Sequence, residues 1–305
     1  MKEEPLLLLS DLQKLINQVV LIDYTIIILG GKTMRNSKTN ELVLTGLFTA
    51  IIIIMAFTPL GYIPLVVINA TIIHIPVILG SLFCGPKKGA FLGFVFGFTS
   101  CLKATIVGGT LSSFVFSPVL AASLVGTSGI FKSLFIAFVP RILVGVIPYF
   151  VYIGIKKVLA SEKKNLWGTV LNVLMSVFLA FGVYAFLGKM SESLSQAAAL
   201  GIGIAVGAVV FIVVEAVFIR KSIQVIPFVY AGVAGAMTNT LLVMGSIFVL
   251  YKDAYADAIG VAGNAVLGVI TGVISFNGVI EAIVAAIIVY LVGLVLNTIK
   301  PIAAK

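Results

Sequence analysis

The amino-acid sequence predicts an all-α fold, a polytopic transmembrane helical bundle of about eight helices. Its 305 residues are 61% hydrophobic and only 10% charged, and the mean hydropathy is +1.23. Several apolar runs approach the roughly 20 residues that a helix needs to cross a bilayer. The runs are continuous and rich in Leu, Ile and Gly, whereas strands of an outer-membrane barrel alternate apolar and polar residues. The composition therefore indicates a multi-pass protein of the cell membrane.

Residues 1–33 differ from the rest of the chain. Their short apolar pieces are interrupted by charged residues, and they fit neither a membrane span nor a signal peptide. The Gly-Gly-Lys sequence at 30–32 can be encoded by a bacterial ribosome-binding sequence, a few nucleotides before the codon for Met34. We therefore expect translation to start at Met34 and residues 34–305 to form a single transmembrane domain. N-terminal sequencing of native protein that begins before Met34 would contradict this.

The apolar runs give the order of the predicted helices. They cover residues 42–57, 69–84, 89–106, 131–158, 166–187, 197–219, 227–251 and 278–299. A loop rich in proline and glycine at 58–64 separates the first two helices, and a Gly/Ser-rich connection covers 108–129. Pro140 and Pro148 predict a kink in the fourth helix.

Charge decides how the apolar stretch 259–276 is interpreted. With eight spans, most of the 20 lysines and arginines lie on one side of the membrane. The positive-inside rule then places both termini in the cytoplasm. A ninth span would move Lys300 and Lys305 to the opposite side, so we interpret 259–276 as a loop or re-entrant segment. The net charge of +9 lies in the loops and does not indicate a nucleic-acid partner.

The third predicted helix carries the first candidate for a ligand contact. Its glycines recur at every fourth position, which are Gly89, Gly93 and Gly97. This stripe predicts that another helix approaches closely. Lys103 stands near the far end of the same helix, and Thr99 and Ser100 lie one turn before it. Lys103 either contacts a ligand or extends to the membrane surface.

Two further candidates for a ligand contact are ionisable residues within predicted spans, where such groups are costly and often functional. Arg141 follows Pro140 and is a second candidate cation for a ligand. Its alternative role is to pair with a backbone carbonyl or a lipid phosphate. His74, the one histidine of the chain, is a candidate ligand contact or a hydrogen-bonding group inside the bundle.

Amides and hydroxyls in the last two predicted helices form another candidate cluster. Thr238 and Asn239 end a face of small residues, and Asn277 shares a helical stripe with Glu281. Such groups supply both donors and acceptors, which suits a neutral or singly charged polar ligand. Hydrogen bonds between helices are the alternative role.

The sequence contains no pattern of a catalytic or metal centre. It has no nucleophile–His–carboxylate set, no phosphate loop and no cofactor motif, and its two cysteines have no metal-ligand spacing. We expect no catalytic residues, no metal and no cofactor. Since no nucleotide-binding domain is present, uphill transport of a solute would need an ion gradient or a partner protein.

Several short motifs, in their order along the chain, resemble one family. They are Gly46–Ala50 (GLFTA), the Pro/Gly loop after the first helix, 85–93 (GPKKGAFLG), 139–145 (VPRILVG) and 238–240 (TNT). Together they are similar to the substrate-binding S component of an energy-coupling factor (ECF) transporter, most of all to its pantothenate-type group. The resemblance covers residues 34–158 and 227–299. It implies a core of six helices, into which this chain inserts a hairpin at about 166–219.

The resemblance also implies partners and a ligand. A membrane coupling subunit and two cytoplasmic ATPases would drive the chain, with Gly46 and Ala50 on the face that meets the coupling subunit. The ligand would be a vitamin captured at the outer side, with pantothenate as the best match. Riboflavin, folate-like and other micronutrients stay open. A stand-alone secondary transporter is the main alternative, although we find no matched pair of broken helices as expected for inverted repeats.

Overall fold

The computed structural model describes residues 37–64, 69–108, 112–190, 194–216, 226–299 and 302. Its helices are α1 (Ser37–Phe57), α2 (His74–Cys84), α3 (Pro86–Ile106), α4 (Pro118–Val125), α5 (Thr127–Val144), α6 (Ile147–Leu159), α7 (Lys164–Met190), α8 (Gln196–Val214), α9 (Ile226–Ile259), α10 (Val266–Val273) and α11 (Val279–Ile299). The predicted all-α bundle is thus confirmed, with two short strands added to it.

The chain divides into residues 1–42 and a compact unit, Val43–Lys305. Of the first unit the structure describes only the opening turns of α1, from Ser37 onward. The stretch predicted to be untranslated, 1–33, lies outside the described residues.

Six helical stretches in the described residues are long and apolar enough to cross a membrane. They are Pro86–Ile106, Thr127–Leu159, Lys164–Gly188, Gln196–Val214, Ile226–Ile259 and Val266–Asn297. Two more apolar helical segments, Glu41–Phe57 and His74–Cys84, are shorter. The chain is therefore a multi-pass membrane protein, and the predicted total of eight spans stays a prediction.

The segment between α1 and α2 is a small hairpin and not the plain loop that the sequence predicted. A 3₁₀ turn at Pro59–Gly61 leads into β1 (Tyr62–Pro64), which pairs antiparallel with β2 (Asn69–Thr71). The predicted helix at 69–84 was therefore wrong at its start. The backbone of residues 69–71 pairs with β1 and does not form a helix, and α2 begins at His74.

The predicted close approach along the glycine stripe of α3 is confirmed, and its partner is α5. A Cβ added at Gly93 would collide with the carbonyl oxygen of Arg141, and one at Gly97 would collide with that of Ala137. The missing side chains thus let two backbones touch. This contact fixes the backbone of Arg141 against α3.

Two predictions between α3 and α7 need correction. The connection at 108–129 is not irregular throughout, because it contains a 3₁₀ turn at Ser113–Val115 and then α4. Ser117 caps α4 by accepting a hydrogen bond from Leu120 N at 3.2 Å. The kinked fourth helix, predicted at 131–158, begins earlier and is divided into α5 and α6 at Gly145 and Val146.

The stretch 259–276 is neither a loop throughout nor a ninth span. A turn follows α9, and α10 then continues through a π-helical segment, Ile274–Gly278, into α11. Val266 and Ile270 of α10 are buried in the same apolar cluster as Val243 and Ile247 of α9. Burial of one face of α10 explains why this stretch is as apolar as a span.

Candidate functional site

A cavity of about 440 Å³ lies among α3, α5, α9 and α11, and β2 contributes to its wall. This volume lies within the range of small-molecule sites, about 300–1,000 Å³. Its polar lining residues are Thr71, Ser100, Lys103, Ser113, Arg141, Asn239, Thr240, Asn277 and Glu281. The cavity thus collects charged and amide groups from helices that are otherwise apolar.

Lys103 lines this cavity from the last turns of α3. Its Nζ donates a hydrogen bond to the carbonyl oxygen of Ala56 at 2.9 Å. Ala56 belongs to the last turn of α1, where carbonyls lack helical partners and attract a cation. Through this hydrogen bond, Lys103 connects the C-terminal end of α1 to the wall of the cavity.

Arg141 lines the cavity from α5 and is only 6% exposed. Pro140 has no N–H, so the carbonyl of Ile136, four residues earlier, loses its helical donor. Arg141 Nη1 donates a hydrogen bond to that oxygen at 2.9 Å. This is the pairing with a backbone carbonyl that the sequence offered as an alternative role for Arg141. The guanidinium carbon also lies 4.6 Å from the ring centre of Phe116 and 5.4 Å from that of Phe96. Both contacts are favourable cation–π pairs that orient the cation.

Two buried amides face the same space. Asn239 of α9 is 7% exposed and Asn277 of the π-helical segment is 8% exposed. Within the described part of the chain, neither Oδ1 atom has a hydrogen-bond partner. A buried acceptor without a donor costs about 1–3 kcal/mol, so each oxygen favours a ligand that brings an N–H or O–H group.

Glu281 is the one carboxylate among the described lining residues. It is 5% exposed and accepts two hydrogen bonds, from Thr71 N at 2.8 Å and from Thr240 Oγ1 at 2.9 Å. Through these bonds it links β2 of the small hairpin to α9. With Lys103 and Arg141, it gives the lining a formal charge of plus one when all three groups are counted as ionised.

The amino-acid sequence matches one family model over residues 40–220, described as "ECF transporter, substrate-specific component". The chain belongs to this family. The match covers more than half of the chain and includes both helices of the α7–α8 hairpin, at the site of the predicted insertion. The resemblance seen in the short motifs is thus confirmed.

Two relatives of this S component are both named as pantothenate transporters. The "Pantothenic acid transporter PanT" of Lactococcus lactis subsp. cremoris is 42% identical over 161 residues, which are 49% of this chain and 78% of that protein. The "Pantothenate transporter PanT" of Leuconostoc mesenteroides subsp. mesenteroides is 27% identical over 277 residues, covering 89% of this chain and 98% of the relative.

Three of the residues that the sequence predicted to contact a ligand do not line the cavity. Thr99 and Thr238 donate to carbonyls of their own helices, those of Phe96 and Ala234. His74 is fully buried at the start of α2, and neither ring nitrogen has a hydrogen-bond partner in the described residues. By contrast, Ser100, Lys103, Arg141, Asn239 and Asn277 all line the cavity.

The site also includes residues that the sequence did not single out. Glu281 and Thr240 were noted only as neighbours of the two amides, and Thr71 was placed in a helix. The available signal was the single acidic group within the last predicted helix, since a carboxylate there is costly. Its partner Thr71 is 210 positions away, which no local pattern reveals.

Proposed function

We propose that this S component captures pantothenate at the outer face of the cell membrane. A transmembrane coupling subunit and two cytoplasmic ATPases would then drive its uptake. One observation carries the choice of ligand. Two cations meet in one cavity of about 440 Å³ with two buried amide oxygens that have no hydrogen-bond partner in the described part of the chain. The printed names of the two relatives support the same choice.

The chemistry of pantothenate suits these groups one by one. It brings one carboxylate, an amide and hydroxyls, and its carboxylate can leave water only if cations or several donors replace the solvent. We assign the carboxylate to Lys103 and Arg141, with Ser100 beside them. The amide N–H and the hydroxyls would donate to Asn239 and Asn277. An excess of one positive charge matches a ligand with one negative charge.

A ligand panel tests this assignment. Purified protein should unfold at a higher temperature with pantothenate, since a ligand at 100 times its Kd adds about 2.7 kcal/mol to the free energy of unfolding. Riboflavin and folate serve as comparison ligands in the same assay. Stabilisation by riboflavin alone would replace the proposed ligand with an uncharged one, and titration calorimetry would give the affinities.

Gly46 and Ala50 are proposed to meet the coupling subunit. Both are exposed, and a Cβ at Gly46 would have no atom within 4 Å. Gly46→Leu and Ala50→Leu should therefore keep pantothenate binding and abolish uptake in cells that contain the whole complex. Gly154→Leu is the matched control, because a Cβ at this exposed glycine of α6 also meets nothing within 4 Å. Normal uptake by both variants would place the contact elsewhere.

Dependence on the ATPases separates this function from that of a stand-alone secondary transporter. We expect uptake only in cells that contain the coupling subunit and both ATPases. Uptake that continues without them would contradict the proposal. A protease site added after Lys305 should be cut only from the cytoplasmic side, because both termini are proposed to lie there.

A further inference from the structure

A second cavity, also of about 440 Å³, lies between the α7–α8 hairpin and helices α9 and α11. We call it the hairpin slot. On α7 its wall runs from Leu171 to Val183, which is ~18 Å at 1.5 Å per residue. The slot is therefore about as long as the hydrocarbon layer of one leaflet, roughly half of the 30 Å core.

The walls of the hairpin slot offer few hydrogen bonds to an occupant. Most of its lining side chains are aliphatic or aromatic. The buried amide of Asn172 already donates to Phe211 O and to Glu215 Oε2, each at 3.0 Å. The hydroxyl of Tyr230 donates to Leu171 O. This differs from the first cavity, where two amide oxygens lack donors among the described residues, and it favours an apolar occupant.

The width of the hairpin slot limits what can enter it. The slot has a volume of about 440 Å³ over ~18 Å of helix. An α-helix of that length is ~10–12 Å across with its side chains and fills roughly 1,400–2,000 Å³. The slot is thus too narrow for a partner helix and wide enough for a single hydrocarbon chain.

Basic residues lie beyond one end of the hairpin slot. At this end Leu171 packs with Leu159, the last residue of α6. Around the α6–α7 turn four lysines are exposed, which are Lys156, Lys157, Lys163 and Lys164. Lys164 stands seven residues before Leu171, ~10 Å further along the helix axis. Among the described residues, Glu162 and Glu215 are the acidic ones near this end, so their charges and those of the four lysines sum to an excess of two positive charges.

We propose that the hairpin slot binds one acyl chain of an anionic phospholipid, whose phosphate lies beside the lysines of the α6–α7 turn. The tail fills the apolar space between the hairpin and the core. The lysines attract the negative phosphate electrostatically at the membrane surface. This lipid site is separate from the substrate cavity and does not depend on the identity of the vitamin.

The sole tryptophan of the chain is a built-in reporter for this site. Trp167 is 44% exposed and lies one helical turn before Leu171. The full-length protein is reconstituted in vesicles of dioleoylphosphatidylcholine that contain rising fractions of brominated phosphatidylglycerol or brominated phosphatidylcholine. Brominated chains quench tryptophan fluorescence at short range. We expect half-maximal quenching at a several-fold lower fraction of the phosphatidylglycerol. Equal quenching curves for the two lipids, measured on the unsubstituted protein, would by themselves overturn the proposal.

Matched double substitutions on α8 locate the effect. V210F/V214F adds bulk inside the slot, whereas V209F/V213F adds the same bulk at side chains that are 60% and 49% exposed. The first variant should lose the excess quenching by phosphatidylglycerol and the second should keep it. An unchanged thermal shift with pantothenate shows that V210F/V214F retains its fold. Equal losses in the two variants would refute binding in the slot.

The lysines are tested separately from the walls. K163Q/K164Q should lower the preference for phosphatidylglycerol over phosphatidylcholine while the slot stays open. If the preference survives this change and also V210F/V214F, the lipid binds elsewhere and the proposal is wrong.

Discussion

Replacing the buried amides of the cavity among α3, α5, α9 and α11 should keep or raise the free energy of unfolding and lower the affinity for pantothenate. Asn277→Leu and Asn239→Leu keep the branched shape of the side chain and remove its polar atoms. In the ligand-free protein each Oδ1 is buried without a partner among the described residues. Such an acceptor costs about 1–3 kcal/mol, so its removal should leave the free energy of unfolding equal or higher.

The effect on the ligand has the opposite sign. A neutral hydrogen bond contributes about 0.5–1.5 kcal/mol, and 1.4 kcal/mol is tenfold in the dissociation constant. Each variant should therefore bind pantothenate about 2- to 13-fold more weakly. Thermal unfolding without ligand gives the stability, and titration calorimetry gives the affinity, both on protein in the same detergent.

Asn172→Leu is the matched control for this pair of measurements. Asn172 is also buried, at 4% exposure, but its Nδ2 donates to Phe211 O and Glu215 Oε2. Its replacement should lower stability and leave pantothenate affinity unchanged. The reasoning is refuted if Asn277→Leu and Asn239→Leu lose stability as the control does, or if both bind pantothenate as tightly as the parent.

Three further predictions concern the cations, the helix contact and the small hairpin. Lys103→Met should weaken pantothenate binding roughly 10- to 150-fold, for a charged hydrogen bond of about 1.5–3 kcal/mol, and Lys103→Arg should keep part of the affinity. If Lys103→Met binds like the parent while Arg141→Met does not, calorimetry places the carboxylate on α5. Gly93→Ala should cost about 1–3 kcal/mol of stability by forcing α5 away from α3, while Gly154→Ala, with no atom near its Cβ, should cost nothing in thermal unfolding. A spin label at Leu60, which is 68% exposed, should lose mobility when pantothenate closes the hairpin, and an unchanged spectrum at saturation would argue against a lid.

The sequence identified candidate residues best within the membrane spans, where burial of a polar side chain costs free energy. Few polar groups can stand within apolar helices, so Lys103, Arg141, Asn239 and Asn277 were visible as candidates before any contact was known. All four line one cavity. The glycine stripe of α3 was equally readable, because only a close helix contact explains small residues at every fourth position.

What the sequence could not provide were pairings between distant segments. Thr71 was placed in a helix because apolar residues follow it, yet its backbone pairs with Tyr62 and its N–H donates to Glu281. His74 was a candidate because a lone histidine in a span is unusual, but its burial at the start of α2 depends on how that helix packs. Periodicity gives the face of a helix and not the identity of its neighbour.

The hydrogen bond from Thr71 to Glu281 has a consequence for the biogenesis of the protein. The two residues lie 210 positions apart, and Glu281 belongs to the last described helix, α11. A ribosome therefore delivers Lys103, Arg141 and the β-hairpin to the membrane long before Glu281, whose carboxylate joins the hairpin to α9. Contacts of such long range form late in folding, because loop closure must precede them. The lining of the cavity is complete only once α11 has been added, so we expect a ligand to stabilise the bundle only from that stage onward.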